Sequence, residues 1–224
     1  MSREGSDVRA YDAAERDAPT LVLAHGAGAG HDHPWMKKVG QGLADRGVRV
    51  VTFDFPYKAQ KKSVPDKPAV LEAAFATAWR EAHEAAAREG RQPRSWFAGG
   101  KSMGGRISSQ VAAKSGFDPA PAGLIFFGYP LHPPGKPEQR RDAHLPAIRE
   151  PMLFIQGTRD QFGTSAEIRE LLPRLQRAEI VEIADGDHSF KTRTKVTGRK
   201  PDAAIGDVID AAAAFIARIS SPRA

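Results

Sequence analysis

Six short runs rich in Val, Ile and Phe alternate with stretches of helical period along this chain, and no other feature narrows its fold as much. The runs fall at 20–25, 48–53, 96–98, 123–127, 151–156 and 179–183. Their apolar residues are not interleaved with polar ones, so both faces of each strand are expected to be covered. Between them, apolar side chains recur at three-and-four spacing: Met36, Val39 and Leu43, then Leu71, Phe75, Trp79 and Ala82, then Ile107 and Val111, then Ile168, Leu171, Leu172 and Leu175. A final stripe of Ile205, Val208, Ile209, Ala212, Phe215, Ile216 and Ile219 closes the series. This alternation predicts a three-layer α/β domain, a mainly parallel sheet with helices on both faces. A short strand at 8–11 is expected to add an antiparallel edge.

Boundary residues agree with that division. Gly47 and Gly90 stand where helix C-caps are expected, and Thr164 with Glu167 has the spacing of a capping box. Pro173 should end or bend its helix early. A length of 224 residues suits one domain, 1–224, with a well-buried core. Two segments break the alternation: the Lys-rich 57–68, and the proline-rich 129–149, which holds Pro130, Pro133, Pro134, Pro137 and Pro146. Loops of this length in a compact domain carry function or move, and the second is read as an insertion near an active site.

Composition removes several function classes. With 41% hydrophobic and 27% charged residues the chain should fold as a globule. It has no cysteine, which excludes a disulfide framework, thiolate metal ligation and a thiol nucleophile. The charged start of the chain lacks the apolar stretch of a secretory signal, and no later run approaches the roughly 18 apolar residues of a membrane span. A cytoplasmic protein with no membrane partner is therefore expected. The net charge of +6 is densest at 58–67 and 191–200, but no nucleic-acid-binding motif accompanies it. These charges read as solvated surface, with no nucleic-acid partner.

The segment 95–106 carries the chemistry: a strand runs into Gly100-Lys101-Ser102-Met103-Gly104, then into a helix. This is the G-x-S-x-G nucleophile elbow, in which a tight strand-to-helix turn holds the serine hydroxyl clear of the sheet. The helix N-terminus behind it favours developing negative charge. A phosphate-binding loop is the competing reading, but its first glycine would have to stand where Ser95 does.

A serine hydroxyl needs a base to take its proton and an acid to orient the base. On this architecture both come later in the chain, acid before histidine, in loops after strands. Asp160 follows the strand ending at Gln156, and His188 follows the strand ending at Ile183. The nearby Asp185 and Asp187 are read as shaping the loop of His188. For the oxyanion hole the N–H of Met103 is one donor, and Ala27 of the His25-Gly26-Ala27-Gly28-Ala29-Gly30 loop is the other, with Gly28 as fallback. Trp35, Phe127, Tyr129 and Leu131 are candidate apolar walls for substrate, as is Gly28 on the loop itself. A metal site at His25, His31 and His33 is not expected, because Trp35 and Met36 stand where the dinuclear pattern needs Asp and His. His25 reads as a support for its loop, and His31 and His33 as loop residues beside a helix start at Pro34. His83 reads as surface; His132 and His144 as solvated or in contact with substrate. Arg106 reads as structural, and Lys101 either favours an acidic leaving group or is an exposed spectator.

With these residues in hand, the chain resembles the α/β-hydrolase superfamily from about Thr20 to its last helix. The blocks HGAGAG, FDFPY, GGKSMGGR, FGYPLHPPGKP, QGTRDQFG and DGDHSF are similar to those of small bacterial hydrolases described as dienelactone-hydrolase-like. The resemblance implies an eight-strand-type sheet with a minimal cap, a serine triad of Ser102, Asp160 and His188, and no cofactor. It implies a small-molecule substrate of ester type and carboxylesterase-like activity. True dienelactone hydrolases use cysteine where this chain has Ser102, so the dienelactone itself does not carry over. Some relatives of the subgroup serve in protein assemblies, which leaves a non-catalytic binding or scaffold role as the alternative.

Overall fold

The computed structural model describes residues 8–221. Seven strands among them form one sheet: β1 (Val8–Tyr11), β2 (Thr20–Ala24), β3 (Arg49–Phe53), β4 (Trp96–Lys101), β5 (Gly123–Phe127), β6 (Met152–Gly157) and β7 (Ala178–Ile183). The spatial order is β1-β3-β2-β4-β5-β6-β7, with β1 antiparallel to β3 and every other pairing parallel. The expected edge strand at 8–11 is present. The eight-strand sheet implied by the resemblance is seven-stranded among the described residues.

Alternate residues of each strand enter opposite layers, as the pleat requires. On β5, Leu124 and Phe126 face one core with Leu71, Phe75 and Trp79, whereas Ile125 and Phe127 face the other with Val39, Val208 and Phe215. The helices sort accordingly. α1 (Pro34–Ala44) and α7 (Ala204–Ser220) cover one face; α3 (Pro68–Arg88), α4 (Met103–Ala113) and the short α5 (Ser165–Arg169) cover the other. The remaining short helices are α2 (Pro56–Ala59) and α6 (Thr194–Thr197). No helix among the described residues is long and apolar enough to cross a membrane.

Local signals act as their chemistry dictates. Thr164 and Glu167 form the capping box of α5, which stops short of Pro173 and gives way to a 3-10 turn at Leu172–Arg174. Gly47 and Gly90 take the left-handed conformation after α1 and α3, with φ of 79° and 65°. His83 departs from expectation. It is half-buried on α3, its ring stacked on Trp96 at 3.6 Å and packed against Trp79.

The chain leaves β2 for one side of the sheet and returns through β4 on the other, so the crevice at the carboxyl ends of these neighbours is a topological switch point, where open α/β sheets bind ligands. The loops after β2, β4, β6 and β7 all open at this end.

Candidate active site

The turn from β4 into α4 admits only glycine at two points. A Cβ on Gly100 would lie 2.4 Å from the carbonyl carbon of Gly104, and one on Gly104 would lie 2.5 Å from the oxygen of Ala24. Backbone approaching this closely forces the intervening residue out of the ordinary regions. Ser102 takes φ 52° and ψ −116°, with its N–H held by the Phe127 oxygen at 3.0 Å.

Two later loops bring groups to this hydroxyl. His188 Nε2 lies 2.8 Å from Ser102 Oγ, and its Nδ1 lies 2.7 Å from Asp160 Oδ2. The ionised carboxylate can only accept, so Nδ1–H donates to it and Nε2 is left to accept the Ser102 proton. Asp160 is buried and fully engaged. Its Oδ1 accepts from the Phe162 N–H at 2.8 Å, and its Oδ2 also accepts from Gln156 Nε2 at 2.9 Å. The Phe162 ring leans on the imidazole at a centroid distance of 4.3 Å. Burial presses the pKa of His188 below the usual 6.5; the hydrogen bond to Asp160 opposes this, and the charge of Lys101 adds to it. The ring is therefore neutral, a base with room for a proton, at neutral pH.

The loop of His188 is fastened by the two acids read as shaping it. Asp185 pairs with Arg159 at 2.9 Å and with Arg193, while Asp187 accepts from the N–H groups of Ser189 and Lys191. Lys101 adds a third fastening from the turn of Ser102 itself. It is neither exposed nor a spectator: Nζ donates to the His188 oxygen and lies 5.3 Å over the Phe190 ring.

On the other side of Ser102, the loop after β2 is held by residues 54–57. Phe55 N–H donates to His25 Nε2 at 3.1 Å, which leaves Nδ1–H to donate to the Gly26 oxygen at 2.8 Å. His25 is thus a neutral, buried brace, its pKa lowered by desolvation. Tyr57 Oη donates to the Ala27 oxygen at 2.8 Å, and the His31 N–H to Asp54 Oδ1 at 2.7 Å. The loop passes close to the serine, since a Cβ on Gly26 would lie 3.5 Å from the Ser102 Cβ and from the Lys101 oxygen, and Ala27 and Ser102 border the same cavity. Met103 opens α4, where N–H groups have no helical acceptor.

These groups share a cavity of about 870 Å³, whose wall includes Ala27, Gly28, Trp35, Ser102, Met103 and His188. Tyr129 and Leu131 are not on it. Both are fully buried in the core: the Tyr129 ring packs on Phe126 and Phe154, and its hydroxyl donates to the Arg141 oxygen at 2.9 Å. Phe127 is likewise enclosed in the opposite core layer. The proline-rich segment instead offers Pro130 and Arg141 to the cavity, and Arg106 joins them from α4. Neither His132 nor His144 is on the cavity: His132 is buried and bonds Glu167, and His144 is half-buried and bonds Ser109.

Sequence reasoning passed over Gln156, Tyr57 and Phe162. Gln156 had a signal: a polar residue at the end of an otherwise apolar strand demands buried partners. It donates to Asp160 and Gly163 and accepts from the Tyr129 N–H, tying the acid to the strand ends.

Solved structures share this fold at low identity. Est1E from Butyrivibrio proteoclasticus, with ferulic acid bound, superposes with a TM-score of 0.70 at 14% identity, covering 97% of both chains. A dienelactone hydrolase from Anabaena variabilis gives 0.72 at 18%, covering 94% of this chain and 90% of its own. Thermogutta terrifontis esterase 2, phosphoramylated by tabun, gives 0.71 at 19%, covering 96% and 91%. Residues 17–217 match the family described as alpha/beta hydrolase domain, and the chain belongs to that family.

Proposed function

We propose that the protein is a serine hydrolase that cleaves a small ester, thioester or amide through an acyl-enzyme on Ser102. The observation that carries this reading is the unbroken chain of hydrogen bonds from Asp160 through His188 to Ser102, at 2.7 and 2.8 Å. Ser102 Oγ attacks the substrate carbonyl as its proton passes to His188 Nε2. Asp160 holds the imidazolium that forms. The carbonyl oxygen, now negative, accepts from the N–H groups of Met103 and Ala27, an arrangement in which one donor is worth about 10²–10³ in rate. Collapse expels the leaving group, which takes the proton from His188. Water then gives a proton to the same nitrogen and attacks the acyl carbon, releasing the acid and restoring Ser102.

The cavity wall of Ala27, Gly28, Trp35 and Met103 suits a compact acyl group. The test is labelling by a fluorophosphonate probe, with Ser102→Ala as control, followed by p-nitrophenyl esters of increasing acyl length. The reading expects an adduct on Ser102 and a rate optimum at short acyl chains. Absence of the adduct from the folded wild type would favour a binding or scaffold role.

A further inference from the structure

The cavity of the proposed active site carries more positive than negative side chains. Lys38, Lys101, Arg106, Arg141 and Lys191 line it, against the carboxylates of Asp66 and Asp202. Two of the cations are guanidiniums that reach it from different elements. Arg106 lies one turn beyond Ser102 on α4, and Arg141 lies on the proline-rich segment. Arg106 Nε is buried with no hydrogen-bond partner, and the guanidinium's one polar contact is Nη1 at 3.5 Å from Gln110 Oε1.

Two neighbouring acids are engaged by other cations. Glu72 pairs with Lys114 at 2.6 Å, and Asp142 with Arg140 at 3.1 Å and Arg174 at 3.6 Å. Asp66 also lines the cavity, its Oδ2 buried without a hydrogen-bond partner, but its charge is felt by Tyr57, whereas the charged side chains that act on Arg106 are Arg141 and Glu72. Burial and then the charge of Arg141 both press Arg106 away from its charged form. A half-buried guanidinium facing a second cation is costly unless an anion joins them. Its planar fork matches the geometry of carboxylate and phosphate oxygens.

We propose that Arg106 and Arg141 form a subsite for an oxyanion carried by the substrate. The inference rests on the hydrolase reading and narrows it to esters or thioesters that bear a carboxylate or phosphate away from the scissile carbonyl. The exposed Lys38 and Lys191 at the cavity rim would draw such a substrate in, with a rate that falls as salt rises.

Matched esters test it. Mono-p-nitrophenyl glutarate against its methyl ester places the charge on the acyl side. Para-acetoxybenzoate against its methyl ester, and para-acetoxyphenyl phosphate against phenyl acetate, place a carboxylate or a phosphate on the leaving side. The charged member of at least one pair is expected to have the higher kcat/KM, by about tenfold, as a charge-assisted hydrogen bond would give. Arg141→Gln should collapse that ratio, and Arg141→Lys, which keeps the charge but loses the fork, should reduce it partway. A ratio at or below unity in every pair, or one unmoved in both variants, overturns the subsite.

Monomethyl glutarate and phenyl phosphate titrated onto Ser102→Ala give a readout without turnover. Binding that weakens with Arg141→Gln supports the subsite, and no binding of either overturns it. Fluorophosphonate labelling keeps the two failures apart. A labelled enzyme without anion preference loses the subsite and keeps the hydrolase, whereas an unlabelled, inactive protein loses the hydrolase and leaves the titration to judge the subsite.

Discussion

Lys101 Nζ donates a hydrogen bond of 2.5 Å to the backbone oxygen of His188, so the residue before Ser102 holds the loop of the proposed base. The ammonium sits over the Phe190 ring at 5.3 Å and the Trp35 ring at 5.9 Å, and desolvation brings its pKa down to about 8 against the opposing pull of Asp160 and Asp187. Its charge also disfavours the imidazolium. Lys101→Met should therefore raise the pKa of His188, because a cation that opposed protonation is gone. The acid limb of the kcat/KM profile should move to higher pH, with a lower plateau from the unfastened loop. An acid limb in the same place would show that Lys101 does not act on the base.

For the unaltered protein the position of that limb follows from burial. The imidazole must be neutral to accept the Ser102 proton, and desolvation holds its pKa under 6.5. Ester hydrolysis should rise with pH through a midpoint below 6.5 and be level at neutral pH, as read from kcat/KM, which reports the free enzyme. A midpoint above that value would mean that the imidazole is more exposed, or more tightly held by Asp160, in the reacting protein than in this geometry.

The elbow gives a prediction of opposite kind, steric and independent of pH. A methyl group at position 104 would stand 2.5 Å from the oxygen of Ala24 and 2.7 Å from that of His25. Both are backbone atoms, and His25 begins the loop that carries Ala27. Gly104→Ala should cost about 1–3 kcal/mol of stability by overpacking. It should also lower kcat by displacing the loop of Ala27, the proposed oxyanion donor. Urea unfolding and steady-state kinetics check the two together, and a variant of full stability and activity would show that the turn relaxes freely.

What the sequence disclosed about this site depended on whether the information was linear. Ser102, Asp160 and His188 each stand just past a strand of recognisable pattern, so their chain order and loop positions sufficed to nominate them, and the same strand pattern disclosed the layers. Tyr129 and Leu131 follow a strand too, but the direction of their segment is set by contacts with Gln156 and Arg141 that no local period encodes. One of the two readings of Lys101 is an exposed spectator because lysine usually is exposed, yet its ammonium lies over two aromatic rings that arrive from residues 35 and 190. His83 is half-buried for a similar reason, since Trp96 of β4 stacks on a position that the helix pattern leaves outside.

Asp185 provides a test of how the base's loop is anchored. It adopts φ 55° just beyond β7, accepts from the Arg193 N–H at 2.6 Å and Nε at 2.8 Å, and pairs with Arg159 Nε at 2.9 Å. The Arg193 side-chain hydrogen bonds, above all, bring its carboxyl from 3.8 down to about 2. A carboxyl with a depressed folded-state pKa contributes its full stability above the unfolded value and loses it as pH falls through the folded one. Asp185→Asn keeps the shape and removes the charge, so its destabilisation should be complete above pH 3.8 and shrink toward pH 2. Urea midpoints of the two proteins across that window measure the gap. At neutral pH the variant should also lose activity, because His188 stands three residues further along the same loop. A stability gap that stays constant as the pH is lowered would mean that Asp185 holds the loop by its shape and not by its charge.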